Sequence, residues 1–133
     1  MSEREKRYTE GMLHPDSLTG KNILVTGGGT GLGKSMSEYF LKLGGSVCIA
    51  SRKMDVLEAT ARELVENTGG EVVPIECDIR DYDSVEKMIG FAHESFGHMD
   101  IVVNNAAGNF ISPTERLSHR AFHIIIDIVL KVR

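Results

Sequence analysis

The residues best placed to do chemistry are glycines. Residues 22–33 read Asn-Ile-Leu-Val-Thr-Gly-Gly-Gly-Thr-Gly-Leu-Gly. Ile23, Leu24 and Val25 form the short apolar run of a strand buried on both faces. Glycine dominates Thr26–Gly33, and a helical apolar pattern begins at once. A strand that turns through glycines into a helix N-terminus binds phosphate. The backbone can approach the ligand closely, while unpaired N–H groups and the helix dipole favour negative charge. The phosphate belongs either to a dinucleotide or to a nucleoside triphosphate.

Two patterns share this loop. Gly28-Gly29-Thr30-Gly31-Leu32-Gly33-Lys34-Ser35 satisfies G-x-x-x-x-G-K-[ST], in which Lys34 reaches the β/γ-phosphates and Ser35 ligates Mg²⁺. Started two positions earlier, the same stretch gives Thr26-Gly27-x-x-x-Gly31-x-Gly33, which resembles the T-G-x-x-x-G-x-G fingerprint of short-chain dehydrogenases/reductases. The triphosphate reading needs an apolar strand ending in Asp to hold the metal. The strand at 99–104 instead begins at Asp100 and ends Val103-Asn104-Asn105, and the strand ending at Asp78 is interrupted by Pro74 and Glu76. The dinucleotide reading makes its own demand at the end of the second strand, where an acidic residue favours NAD and a basic one the 2′-phosphate of NADP. That strand runs into Ser51-Arg52-Lys53, about 20 residues beyond Gly33, which selects NADP.

The elements that must position these groups alternate regularly. After the loop, Leu32, Met36, Phe40 and Leu43 recur on one helical face before Gly44-Gly45. Ser46–Ala50 is a second strand. Met54, Leu57, Ala61, Leu64 and Val65 mark a second helix, closed by Gly69-Gly70. Glu71–Cys77 is a third strand, and Pro74 confines it to a sheet edge. Asp83 to Glu86 has capping-box spacing for a helix carrying Val85, Met88, Ile89, Ala92 and Phe96. Met99–Asn104 is a fourth strand. A last helix, capped by Ser118, sets Phe122, Ile125, Ile126 and Val129 on one face. The pattern β-α-β-α-β-α-β-α specifies a doubly wound parallel sheet of order 3-2-1-4, the first half of a Rossmann sheet plus one strand. Residues 1–20 read as a polar N-terminal arm and 21–133 as the dinucleotide-binding portion.

Composition narrows the function classes. The chain has 133 residues, 41% hydrophobic, enough for one domain with a core. A net charge of −4, dispersed basic residues and few aromatics argue against nucleic acid. The apolar run at 124–130 is broken by Asp127, so no membrane span is expected, and the acidic residues of the first ten positions argue against a targeting peptide. A cytoplasmic location follows as the default. Cys48 and Cys77 fall in strands, as small buried hydrophobes. His119 and His123 stand one helical turn apart with no third ligand nearby, so no metal site is expected.

Asn104-Asn105-Ala106-Ala107-Gly108 resembles the N-N-A-G segment of short-chain dehydrogenases/reductases, with Ala107 in place of the usual glycine. The longer stretches Asn104–Leu117 and Ile49–Leu57 look specifically like the 2,4-dienoyl-CoA reductases of that superfamily. The resemblance implies cofactor contacts from Thr26, Gly27, Gly29, Thr30, Gly31, Leu32 and Gly33, from Ser51, Arg52 and Lys53, and from Asn104, Ala106 and Ala107. It also places Asp78, with Ile79 beside it, at the adenine edge, although Asp78 serves equally as a turn cap. Asn109, Phe110 and Ser112 would stand at the mouth of the acyl site or form an ordinary loop. The implied activity is NADPH-dependent reduction of dienoyl-CoA thioesters in unsaturated fatty-acid β-oxidation, by a homo-oligomer, a tetramer in this family. The family's catalytic tyrosine–lysine pair belongs to later elements. Tyr8, Tyr39 and Tyr82 do not substitute, since none has lysine four residues on. The expectation is an incomplete domain with no catalytic residue of its own. The alternatives are a ketone- or alcohol-specific member of the superfamily and a non-catalytic nucleotide-binding module.

Overall fold

A computed structural model describes residues 11–107, 116 and 118–130. Four strands, β1 (Asn22–Thr26), β2 (Ser46–Ser51), β3 (Val72–Glu76) and β4 (Ile101–Val103), form one parallel sheet in the order β3-β2-β1-β4. Between them run α1 (Gly31–Lys42), α2 (Met54–Thr68) and α3 (Tyr82–Phe96), and α4 (His119–Val129) follows β4. The predicted topology is the observed one. β1 is central, pairing Ile23 with Val47 on one side and with Ile101 on the other. Pro74 lies opposite Ile49 in the edge strand β3, where its missing N–H costs no ladder bond.

Strand alternation sorts the core into two layers. Ile23, Val25, Val47 and Ile49 pack with Leu41 of α1 and Leu57, Ala61 and Leu64 of α2. Leu24, Cys48, Ala50, Ile75 and Cys77 face the other way and pack with Met88 and Ala92 of α3. Burial pushes the Cys48 thiol up to about 12 and raises Cys77 as well, consistent with inert core residues. Leu18 joins the first layer from the segment preceding β1, and its N–H donates to Leu43 O at 3.0 Å.

Three helix details depart from the sequence reading. In α1 the buried positions are Gly33, Ser37 and Leu41, and Leu32 is 69% exposed. The face is rotated because α1 lies so close to the loop below it that only small residues fit. The first buried turn is therefore glycine and serine, not leucine and methionine. In α3 the cap is Asp81, which accepts from Asp83 N at 3.1 Å, and not Asp83. The Ser84 hydroxyl accepts from Asp78 N at 3.0 Å, which fixes the first turn of α3 against the end of β3 and starts the helix earlier. The stripes of α2 and α3 are narrower than expected, with Val65 and Ile89 each nearly half-exposed. In α4 the Ser118 hydroxyl accepts from Ala121 N at 3.1 Å as expected, while Phe122 is half-exposed. The third and fourth strands are also shorter than Glu71–Cys77 and Met99–Asn104.

Candidate functional site

The sheet order reverses beside β1, and a crevice opens there at the carboxyl ends of the strands. Its floor is the glycine loop. Gly27, at φ +67, donates to Ala50 O at 2.7 Å, which pins the turn onto the end of β2. A side chain on Gly27 would meet Asn105 Nδ2 at 2.9 Å and Ala106 Cα at 3.0 Å. Gly33 is tighter still, with its missing Cβ facing the Gly27 carbonyl and Asn105 Nδ2 at 2.7 Å. These glycines make room chiefly for the chain itself, so that α1 begins directly over the loop.

Asn105 joins the β4 end to the loop. Its Nδ2 donates to Thr26 O at 3.1 Å and to Gly27 O at 3.3 Å. Thr26 completes the joint, donating its hydroxyl to Val103 O at 3.3 Å and accepting from Asn105 N and Ala106 N, both at 3.1 Å. On the other side, Thr60 of α2 donates to Gly29 O at 2.6 Å. Among the described residues, the N–H groups of Thr30, Gly31, Leu32 and Gly33 have no protein acceptor. A helix start of this kind can hold an anion.

A cavity of about 750 Å³ lies over this floor. Of the predicted positions, Gly27, Thr30, Gly31 and Leu32 line it from the loop, Ser51 and Arg52 from the end of β2, Asp78 and Ile79 after β3, and Ala106 and Ala107 after β4. Gly29 and Lys53 line a smaller recess of about 270 Å³ together with Ser51 and Arg52. Thr26 and Gly33 lie beneath the floor and shape it without lining it. Asn104 is exposed and lines neither, and Asn105 takes the inward position. Asn109, Phe110 and Ser112 lie outside the described residues.

Arg80 lines the cavity and was missed in the sequence. Its Nε donates to Asp78 Oδ1 at 2.9 Å and its Nη2 to Oδ2 at 2.6 Å. The same Oδ1 accepts Arg80 N at 3.0 Å, so Asp78 also caps its own turn. These bonds hold the Asp78 carboxyl down at about 2, with Arg52 adding a smaller attraction. An Asp-x-Arg turn after a strand was the available signal, but only the fold aims it into the crevice.

Lys34 does not face the cavity. Its ammonium pairs with Glu63 Oε2 on α2 at 2.6 Å. Asp100 stands at the opposite end of the sheet, where Oδ2 accepts from Asn22 N at 2.8 Å. Neither residue has the placement a Mg²⁺–triphosphate site requires. Among the described residues no helix is long and apolar enough to cross a membrane.

The chain is 54% identical over 120 residues to an uncharacterised oxidoreductase of Caenorhabditis elegans, covering 90% of this chain and 38% of that one. It is 52% identical over 121 residues to a probable 2,4-dienoyl-CoA reductase, (3E)-enoyl-CoA-producing, of the same organism, covering 90% and 39%. The chain thus spans less than half the length of the curated relatives it matches. Among solved structures, L-sorbose reductase of Gluconobacter frateurii, complexed with NADPH and L-sorbose, superposes with a TM-score of 0.82 at 25% identity, covering 90% of this chain and 45% of that one. The short chain dehydrogenase profile matches residues 21–132, and the chain belongs to that family of oxidoreductases.

Proposed function

We propose that this chain is the NADP(H)-binding portion of an oxidoreductase that reduces 2,4-dienoyl-CoA thioesters. The observation that carries the cofactor is Ser51-Arg52-Lys53 at the end of β2, with Ser51 and Arg52 lining both the main cavity and the recess beside the glycine loop and Lys53 lining the recess. A cation at that position favours a 2′-phosphate, and an acidic residue there would repel it.

The residues fit the dinucleotide. The N–H groups of Thr30 to Gly33 would hold the pyrophosphate, Arg52 and Lys53 the 2′-phosphate, and Asp78 with Ile79 the adenine edge. Ala106 and Ala107 are small enough for the cofactor to pass along the β4 end, and Asn105 keeps that segment against the loop. When bound, NADPH supplies a hydride; the chain's own residues bind it, orient it and exclude water from its phosphates. Support for the substrate class comes from the dienoyl-CoA reductase relative and from the segments Ile49–Leu57 and Asn104–Leu117.

Fluorescence titration of wild type and Arg52→Asp with NADPH and NADH tests the cofactor. Each charge-assisted hydrogen bond contributes about 1.5–3 kcal/mol, so NADPH affinity should fall at least about tenfold, with NADH little changed. Equal losses for the two cofactors would refute the assignment. For the substrate, oxidation of NADPH by the full-length protein should depend on a dienoyl-CoA; turnover of a ketone instead would refute that part.

A further inference from the structure

We propose that Thr60 is a positioning residue for the glycine loop, turning the Gly29–Thr30 peptide so that its N–H faces the pyrophosphate of a dinucleotide. The inference rests on the dinucleotide reading above and assigns a role to a residue in a different helix from the loop.

Thr60 sits in the middle of α2 and is 5% exposed, at a position where Leu57, Ala61 and Leu64 supply the core. A polar group there must find a partner. A helical Ser or Thr commonly donates to the carbonyl one turn back. Ser37 does so to Gly33 O at 2.8 Å, Thr68 to Leu64 O at 2.6 Å and Ser95 to Phe91 O at 2.9 Å. Thr60 instead leaves its own helix and donates to Gly29 O at 2.6 Å.

The consequence follows from peptide planarity. No peptide in the described chain is cis, so the Gly29 carbonyl and the Thr30 N–H point in opposite directions. A carbonyl held toward α2 leaves the N–H turned away from α2, and Thr30 lines the main cavity. Glycine has two broad choices of backbone conformation, and three successive glycines precede Thr30. Without an external anchor, this peptide is free to flip and present its carbonyl oxygen, which repels an anion. Thr60 removes that alternative. It touches neither the phosphate nor the reacting atoms.

The test compares two ligands, one with the pyrophosphate and one without. NADPH and adenosine 2′-monophosphate are titrated against wild type, Thr60→Val, which keeps shape and removes the hydroxyl, and Thr60→Ser, which restores it. Thr60→Val should weaken NADPH about tenfold, the size of one lost hydrogen bond, while leaving adenosine 2′-monophosphate within about twofold. Thr60→Ser should return NADPH to within about twofold of wild type. Thr60→Ala, which leaves the same carbonyl unpartnered, carries the comparison if the valine variant does not fold. Equal weakening of both ligands would mean a general loss of structure and overturns the proposal, as would unchanged NADPH affinity or no rescue by serine. Wild-type protein that binds neither ligand overturns the dinucleotide reading, and this inference with it.

Discussion

Two glycine-to-alanine substitutions in helices should act with opposite sign. Gly90 lies within α3, and a Cβ there meets no atom within 4 Å. Alanine should therefore stabilise the protein by the helix-propensity difference alone, about 0.5–1 kcal/mol. Gly33 lies in the first turn of α1, where the same intrinsic gain is set against backbone. Its Cβ would overlap the Gly27 carbonyl oxygen and stand 2.7 Å from Asn105 Nδ2 and 2.8 Å from Gly27 C. The loop cannot simply retreat, because Gly27 N is bonded to Ala50 O at 2.7 Å and Asn105 holds Thr26 O and Gly27 O. Overpacking of this kind costs about 1–3 kcal/mol, and disrupting the Asn105 bonds adds about 0.5–1.5 kcal/mol each. Set against the propensity gain, Gly33→Ala should be destabilising by about 1–5 kcal/mol, the upper end applying if both Asn105 bonds are lost. Urea unfolding followed by far-ultraviolet circular dichroism measures both variants against wild type. A Gly33→Ala midpoint raised as much as that of Gly90→Ala would refute the close-approach argument.

The remaining predictions concern charge. Lys34→Ala breaks only the partly exposed pair with Glu63, so it should cost no more than about 1 kcal/mol of stability and leave NADPH affinity within about twofold. Mg²⁺-dependent ATP binding abolished by that substitution would overturn the choice of ligand. The bonds from Arg80 hold the Asp78 carboxyl at about 2 against an ordinary 3.8. Because the folded value lies below the unfolded one, the stabilisation is complete at neutral pH, starts to fade near the ordinary value and is lost as pH falls through about 2. With each side chain 34% exposed, solvent screening keeps the contribution of the pair to stability small. Arg80→Ala should bring Asp78 back toward its ordinary value, followed by carboxyl carbon NMR; a wild-type carboxyl titrating near 3.8 would contradict the bidentate pair.

The alternation of elements, the sheet order and the glycine floor were legible in the chain, because each rests on local signals. Buried strands advertise themselves by apolar runs such as Ile23–Val25, and Pro74 has only an edge to occupy. The glycine loop is local too, since strand, turn and helix start are contiguous, and so is the Ser118 cap. What the sequence left open depends on contacts between distant segments. Which face of α1 is buried was decided by Gly27 and Asn105 pressing on Gly33; residue types along the helix favoured Leu32 and Met36 instead. Asn104 and Asn105 are indistinguishable as letters, and only the departure of the chain from β4 turns the second inward. Arg80 carries only a turn signal and Thr60 carries none. One reaches the cavity through a turn that folds it onto Asp78, and the other reaches the loop because α2 packs beside it. Periodicity and turn residues encode which elements form, whereas the partner of a buried polar group is set by packing across the sheet, which no short stretch of sequence contains.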